Sequence, residues 1–204
     1  MSGTKEKILL FSLRLFAEKG YEAVSVSDIA EKLGVTKGAL YKHYKNKRDI
    51  FDSIVLRMEE LDLERAKTFD VPENAKSDMP EKYEKTPLSN LIDFSRAQFD
   101  YWTKEEFPSC FRKMLTLEQF KNDDMKALYQ QYLVSGPLGY VTDIFESACI
   151  KDADKRAVEL YASMFLFYSL YDGAENKIKV SAAFGEYLDS FSEKLIRGER
   201  EHDE

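Results

Sequence analysis

Residues 25–44 read Ser-Val-Ser-Asp-Ile-Ala-Glu-Lys-Leu-Gly-Val-Thr-Lys-Gly-Ala-Leu-Tyr-Lys-His-Tyr. Ser25 starts a helix. Its hydroxyl can accept the amide of Asp28, and the Asp28 carboxylate can reach back, which makes a capping box. Ile29, Ala30 and Leu33 give that helix a short apolar face. Gly34 follows, where a chain leaving a helix takes a positive φ. After the hinge Gly34-Val35, Thr36 caps a second short helix, and only its Leu40 and Tyr44 point toward a core. The outward positions are Lys37, Gly38, Ala39, Tyr41, Lys42 and His43. This mixture of small, aromatic and cationic side chains suits a surface that is closely approached.

Upstream, Ile8, Ser12, Leu15 and Phe16 recur at the spacing of an amphipathic helix, which Gly20 ends as a left-handed cap. Downstream, Asn46 caps a further helix with Asp49 three residues on. A helix, a tight glycine turn and a short helix with a polar outer face form the helix-turn-helix arrangement, whose second helix enters the DNA major groove. Charge supports it. Residues 1–50 hold ten basic and six acidic side chains, a formal +4, within a chain of net charge −7. Thr36 to Arg48 contains five basic residues, one His and no acid. A local basic block on an acidic chain is the electrostatic footprint of a nucleic-acid contact.

The stretches Leu15-Phe16-Ala17-Glu18-Lys19-Gly20-Tyr21, Ser25-Val26-Ser27-Asp28-Ile29-Ala30, Leu33 to Tyr44 and Asn46-Lys47 together resemble the DNA-binding signature of the tetracycline-repressor (TetR) family. The resemblance covers about a quarter of the chain. It implies an all-α fold and a homodimeric repressor that small ligands release from DNA. The remaining three quarters of such proteins diverge, so it supplies no ligand. Many members carry a basic residue where this chain has Ser27, which weakens one expected phosphate contact.

On that reading Lys37 reaches a base edge or a phosphate, guanine O6 and N7 being its natural acceptors. Gly38 and Ala39 let the backbone come close to the duplex, and Ala39 can touch a thymine methyl. Tyr41 and His43 resemble family positions that donate to phosphates or pack on the sugar edge, with Lys42 beside them. Lys47 sits at the first turn of a helix, where free amides favour a phosphate, and Ser25 and Thr36 stand at helix starts of the same kind.

Beyond residue 50, the spacing predicts a helix from 47 to about 67 and a polar excursion over 70–86. A helix capped by Thr86-Pro87 is then expected to run to about Trp102. Pro108 opens the next, which carries Phe111, Met114, Leu115, Leu117 and Phe120. Asp123 or Asp124 then caps a long helix that Gly136-Pro137 should kink or break. Asp154 to Asp172 is apolar nearly all round and needs burial on more than one side. Val180, Phe184, Tyr187, Leu188, Phe191 and Leu195 form one stripe. Paired with a second copy, these last two helices would make a four-helix bundle. The expected interface is Tyr161, Phe165, Tyr168, Phe184, Tyr187, Leu188 and Phe191. The tail Gly198–Glu204 is charged and expected to fray.

Other classes are disfavoured. The longest uncharged apolar run, Leu160–Tyr171, is too short to span a bilayer. No signal peptide precedes the first amphipathic pattern. Cys110 and Cys149, the only cysteines, fit a reducing cytoplasm, so the expected location is cytoplasmic. Two histidines, no Gly-rich phosphate loop and no Gly-x-Ser-x-Gly elbow argue against an enzyme, a metal site or a cofactor. The expected organisation is a helix-turn-helix DNA-binding domain over 1–50 and a helical effector-binding and dimerisation domain over 51–204. Expected partners are a pseudo-palindromic double-stranded operator, a second copy of the chain and a small apolar or aromatic effector, with no membrane. Phe99, Trp102, Phe111, Met114 and Tyr132 are the candidate effector pocket, because Tyr and Trp give an apolar wall with a polar tip. The alternative is a helix-turn-helix regulator without a small effector, controlled by a protein partner.

Overall fold

The computed structural model describes residues 3–200, with side chains to Leu195. The last four residues of the charged tail lie outside the described residues. The chain is all-α, and no strand occurs among the described residues. In order, the helices are α1 (Gly3–Lys19), α2 (Val26–Leu33), α3 (Lys37–Tyr41), α4 (Lys47–Thr68), α5 (Pro80–Lys85), α6 (Leu88–Lys104), α7 (Glu106–Glu118), α8 (Asp123–Leu133), α9 (Ser135–Ser147), α10 (Ala153–Gly173) and α11 (Lys177–Arg200). Among the described residues, no helix is long and apolar enough to cross a membrane.

The helices divide into two compact units. The first comprises residues to Asp62 together with Glu105–Tyr129; the second comprises Leu63–Lys104 together with residues from Gln130 on. In the first, α1 packs against α2 and α7. Ile8, Leu9, Leu13 and Phe16 of α1 are buried, as are Ile29, Leu40, Phe51 and Ile54 from the helices that follow and Phe111, Met114 and Leu115 of α7. The ring of Tyr21 stands edge-on to both Phe16 and Phe51, with centroids 5.1 Å away in each case. Leu117 and Phe120 of that apolar set are exposed, Phe120 by 88%. Their spacing extends the apolar pattern of α7, but the helix ends at Glu118 and no neighbour covers them.

In the second unit α10 packs against α6, α9 and α11, which accounts for its apolar girth. Phe99 of α6 stacks on Tyr168 at 5.9 Å and meets Phe184 at 4.4 Å and Tyr171 at 5.8 Å. The 70–86 excursion is not a bare loop. It contains α5 and is pinned by two tyrosine hydroxyls: Tyr83 donates to the Asn74 carbonyl at 3.0 Å, and Tyr140 donates to the Pro72 carbonyl at 3.1 Å. Burial pushes the Tyr83 hydroxyl up to about 12 and that of Tyr140 further still. Thr86 closes α5 instead of capping α6, because its hydroxyl donates to the Lys82 carbonyl at 2.7 Å. Asn122, not Asp123 or Asp124, caps α8, its side-chain oxygen accepting the Met125 amide at 2.9 Å. The break expected at Gly136-Pro137 falls at Val134, between α8 and α9. Pro137 then lies in the first turn of α9, where a missing N–H costs nothing.

Most of the residues expected at the dimer interface are covered within the single chain. Phe184, Leu188 and Phe191 are each at most 2% exposed within the single chain. Tyr161 and Tyr168 are buried as well, and the Tyr161 hydroxyl donates to the Leu133 carbonyl at 2.8 Å. Phe165 and Tyr187 are half-buried, and the Tyr187 hydroxyl is spent on the Glu159 carbonyl at 2.7 Å. An apolar stripe states that something covers it; here the chain itself covers most of it. The large apolar side chains that α10 leaves exposed are Val158, Leu166 and Leu170.

Candidate nucleic-acid interface

The recognition segment is assembled by caps. The Ser25 hydroxyl accepts the Asp28 amide at 3.2 Å, and the Asp28 carboxylate accepts the Ser25 amide at 2.7 Å. Hydrogen bonds from the Ser25 hydroxyl and backbone hold the exposed Asp28 carboxyl below its ordinary value. Gly34 closes α2 with φ 67°, its N–H directed at the Ala30 and Glu31 carbonyls. The Thr36 hydroxyl accepts the Ala39 amide at 3.2 Å and opens α3. Leu40 anchors the inner side of α3 at 1% exposure. Tyr44 follows, buried, with its hydroxyl directed to the Lys5 carbonyl at 3.4 Å and raised by that burial to about 12. Asn46 caps α4 through the Asp49 amide at 2.9 Å, while Asp49 reaches one residue further back, to the Lys45 amide at 2.8 Å.

What these caps leave outside is a cationic ridge. Lys37, Gly38, Tyr41 and Lys42 are exposed, Tyr41 by 53%. Ala39 and His43 are half-buried beside them, and Ser27 is half-buried in the first turn of α2. Ser25 and Thr36 are exposed, but their hydroxyls are engaged as caps. Lys47 stands apart. Its ammonium donates to the Tyr21 carbonyl at 2.8 Å and the Glu22 carbonyl at 3.4 Å, and lies 4.2 Å from the Tyr21 ring centroid. It closes the turn before α2 as well as standing near the ridge.

Residues 8–54 match the family model described as "Bacterial regulatory proteins, tetR family". Over this segment the chain is similar to the DNA-binding part of the tetR family. The transcriptional regulator AcrR of Shigella flexneri is 45% identical over 51 residues, covering 25% of this chain and 24% of that protein. The transcriptional repressor BepR of Brucella suis is 42% identical over 73 residues, covering 34% of each. The matched segment thus spans about a quarter to a third of the length of these curated relatives. A likeness in fold extends to nearly the whole chain. The triclosan complex of SmeT, the repressor of a Stenotrophomonas maltophilia efflux pump, superposes with a TM-score of 0.64 at 18% identity, over 93% of this chain and 90% of that one.

The candidate effector residues do not gather in one unit. Phe99, Trp102 and Tyr132 belong to the second unit and Phe111 and Met114 to the first, and all five are buried. Phe99 packs as core among Tyr168, Tyr171 and Phe184. The sequence reading missed Glu118, a carboxylate at 2% exposure whose Oε1 accepts the Tyr21 amide at 3.0 Å. A glutamate at the end of a helix reads as solvated surface, and nothing in its local pattern marks it otherwise.

Proposed function

We propose that this chain is a dimeric DNA-binding transcriptional regulator that represses its target and leaves the operator when a small effector binds. Residues 1–50 serve as the DNA-binding domain and residues 51–204 as the effector-binding and dimerisation part. The observation that carries the reading is the outer face of α3, where Lys37, Gly38, Tyr41 and Lys42 stand exposed on a helix held from behind by Leu40 and from its start by Thr36. Base contacts from Lys37 and Ala39 would specify sequence, and phosphate contacts from Tyr41, Lys42 and His43 would fix register. Lys47 would add a phosphate contact only through its remaining donor and Thr36 through its hydroxyl proton, whereas the Ser25 hydroxyl already donates to Asp28 at 2.7 Å. Ser27 lacks a cation. The repressor role rests on likeness to BepR and SmeT.

The dimer forms through the uncovered face of α10 and α11. Val158, Leu166 and Leu170 lie on one side of α10, spaced for one helix face. Beside them an open groove of about 530 Å³ is lined by Phe167, Leu170, Val180 and Ala183 among others. Exposed apolar side chains of this number next to small residues fit a helix–helix contact. The effector is a small apolar or aromatic compound held within residues 51–204, as SmeT holds triclosan. Trp102, the one tryptophan, is 5% exposed and reports on it. The test is to select duplexes from a random pool with the full chain, then titrate triclosan while following operator binding and Trp102 emission. Quenching together with release of the duplex is expected. Saturable quenching with operator affinity unchanged would remove the effector coupling and leave the DNA reading standing.

A further inference from the structure

The backbone of Tyr21 is held from two sides. Its N–H donates to Glu118 Oε1 on α7 at 3.0 Å, and its carbonyl accepts Lys47 Nζ on α4 at 2.8 Å. Four residues later Ser25 caps α2, and the Tyr21 carbonyl also accepts the Val24 amide at 3.3 Å. The turn that sets where α2 and α3 lie is therefore fixed by one acceptor from α7 and one donor from α4. All three elements lie within the same compact unit.

Glu118 is costly where it stands. It is 2% exposed, and its Oε2 has no hydrogen-bond partner among the described residues. A buried carboxylate with an orphaned oxygen carries a desolvation penalty that an apolar side chain of the same size would avoid. The surroundings are fitted to it all the same. Gly20 takes φ 83°, and a Cβ there would stand 2.6 Å from Glu118 Oε1. The carboxylate thus rests against a bare Cα at the entry of the turn. At the other end of α7, Glu106 pairs with Arg14 of α1, a half-exposed pair that contributes little. The turn's anchorage to α7 accordingly rests on the buried contact.

We propose that Glu118 is a positioning residue for DNA binding: by holding the Tyr21 amide it keeps the α1–α2 turn, and with it the recognition helix, in the register that fits the groove. This rests on the DNA-binding reading above. Because the hydrogen bond and DNA engagement share one conformation, each stabilises the other. A residue kept only for stability would behave otherwise, since replacing a buried, half-satisfied carboxylate by an apolar group of similar volume is often neutral or stabilising.

The experiment uses a duplex selected from a random-sequence pool by the wild-type full chain. Glu118→Gln keeps the acceptor oxygen, whereas Glu118→Leu fills the space without one. With both variants folded by circular dichroism at the assay temperature, Glu118→Gln should bind within about threefold of wild type and Glu118→Leu at least about tenfold more weakly, the scale of one hydrogen bond to a charged group. That order should hold even where Glu118→Leu melts no lower than Glu118→Gln. In the wild-type chain, which needs no variant to fold, the bound duplex should slow exchange of the Tyr21 amide more than that of the α1 amides. A folded Glu118→Leu that binds the duplex as wild type does, or a Tyr21 amide that slows no more than α1, would overturn the proposal. A wild-type chain that selects no common sequence would fail at the DNA-binding reading itself, before any variant is compared.

Discussion

A lysine in the first turn of a helix reads as a phosphate ligand, yet in space Lys47 spends two donors on carbonyls and its charge on the face of Tyr21. Both demands should show on mutation. Lys47→Met keeps the apolar stem and removes the donors, so it should cost about 1–3 kcal/mol in chemical denaturation. The folded fraction should also lose about one unit of salt slope per half-site. An unchanged denaturation midpoint would show that the carbonyl contacts carry no weight. Ser25→Ala, which removes the α2 cap, should cost about 1 kcal/mol at neutral pH. Asp28 adds a pH signature. Its carboxyl is held below its ordinary value in the fold, so its contribution is present above the unfolded value and is lost as the pH falls below about 4. The stability gap between wild type and Ser25→Ala should therefore narrow on acidification, and a gap independent of pH would contradict the capping box as the source of the depressed value.

At the scale of elements, what the sequence made legible was local. The starts of α2, α3 and α4 were readable because each cap joins a side chain to an amide three residues away, within one stretch of chain. What was not legible depended on partners far along the chain. The polar 70–86 stretch was read as an excursion because its anchors, Tyr83 and Tyr140, act through rings and hydroxyls that carry no periodic signal. Leu117 and Phe120 continued an apolar pattern with nothing above them, and Glu118 broke the same pattern while being buried. The residues expected at a dimer interface follow a stripe that the chain itself largely covers, because periodicity reports that a face is apolar and not which surface covers it. The α5 region offers a direct check. Tyr140→Phe leaves the Pro72 carbonyl without its donor and should cost about 1 kcal/mol, with faster amide exchange confined to residues around 70–86. Loss of protection spread evenly over the chain would contradict that anchoring.

For the molecule as a whole, the proposed two-fold dimer would demand a two-fold site, with recognition helices roughly 34 Å or more apart along one face of the duplex. The pair Leu166→Asp and Leu170→Asp adds charge to the uncovered face of α10 without touching core. It should yield folded monomers by sedimentation that no longer hold an operator, whereas Phe184→Asp should unfold the chain, because that side chain is 1% exposed. A full dimer of the double variant would move the interface elsewhere. The most direct test of the central claim is selection of duplexes from a random pool by the full chain, followed by titration of the winning sequence with wild type, Lys37→Ala and Tyr41→Ala. The account predicts an enriched pseudo-palindrome, a change of preferred sequence for Lys37→Ala and a loss of affinity across all sequences for Tyr41→Ala. An unenriched pool, or an enriched duplex that both variants bind as wild type does, would contradict it.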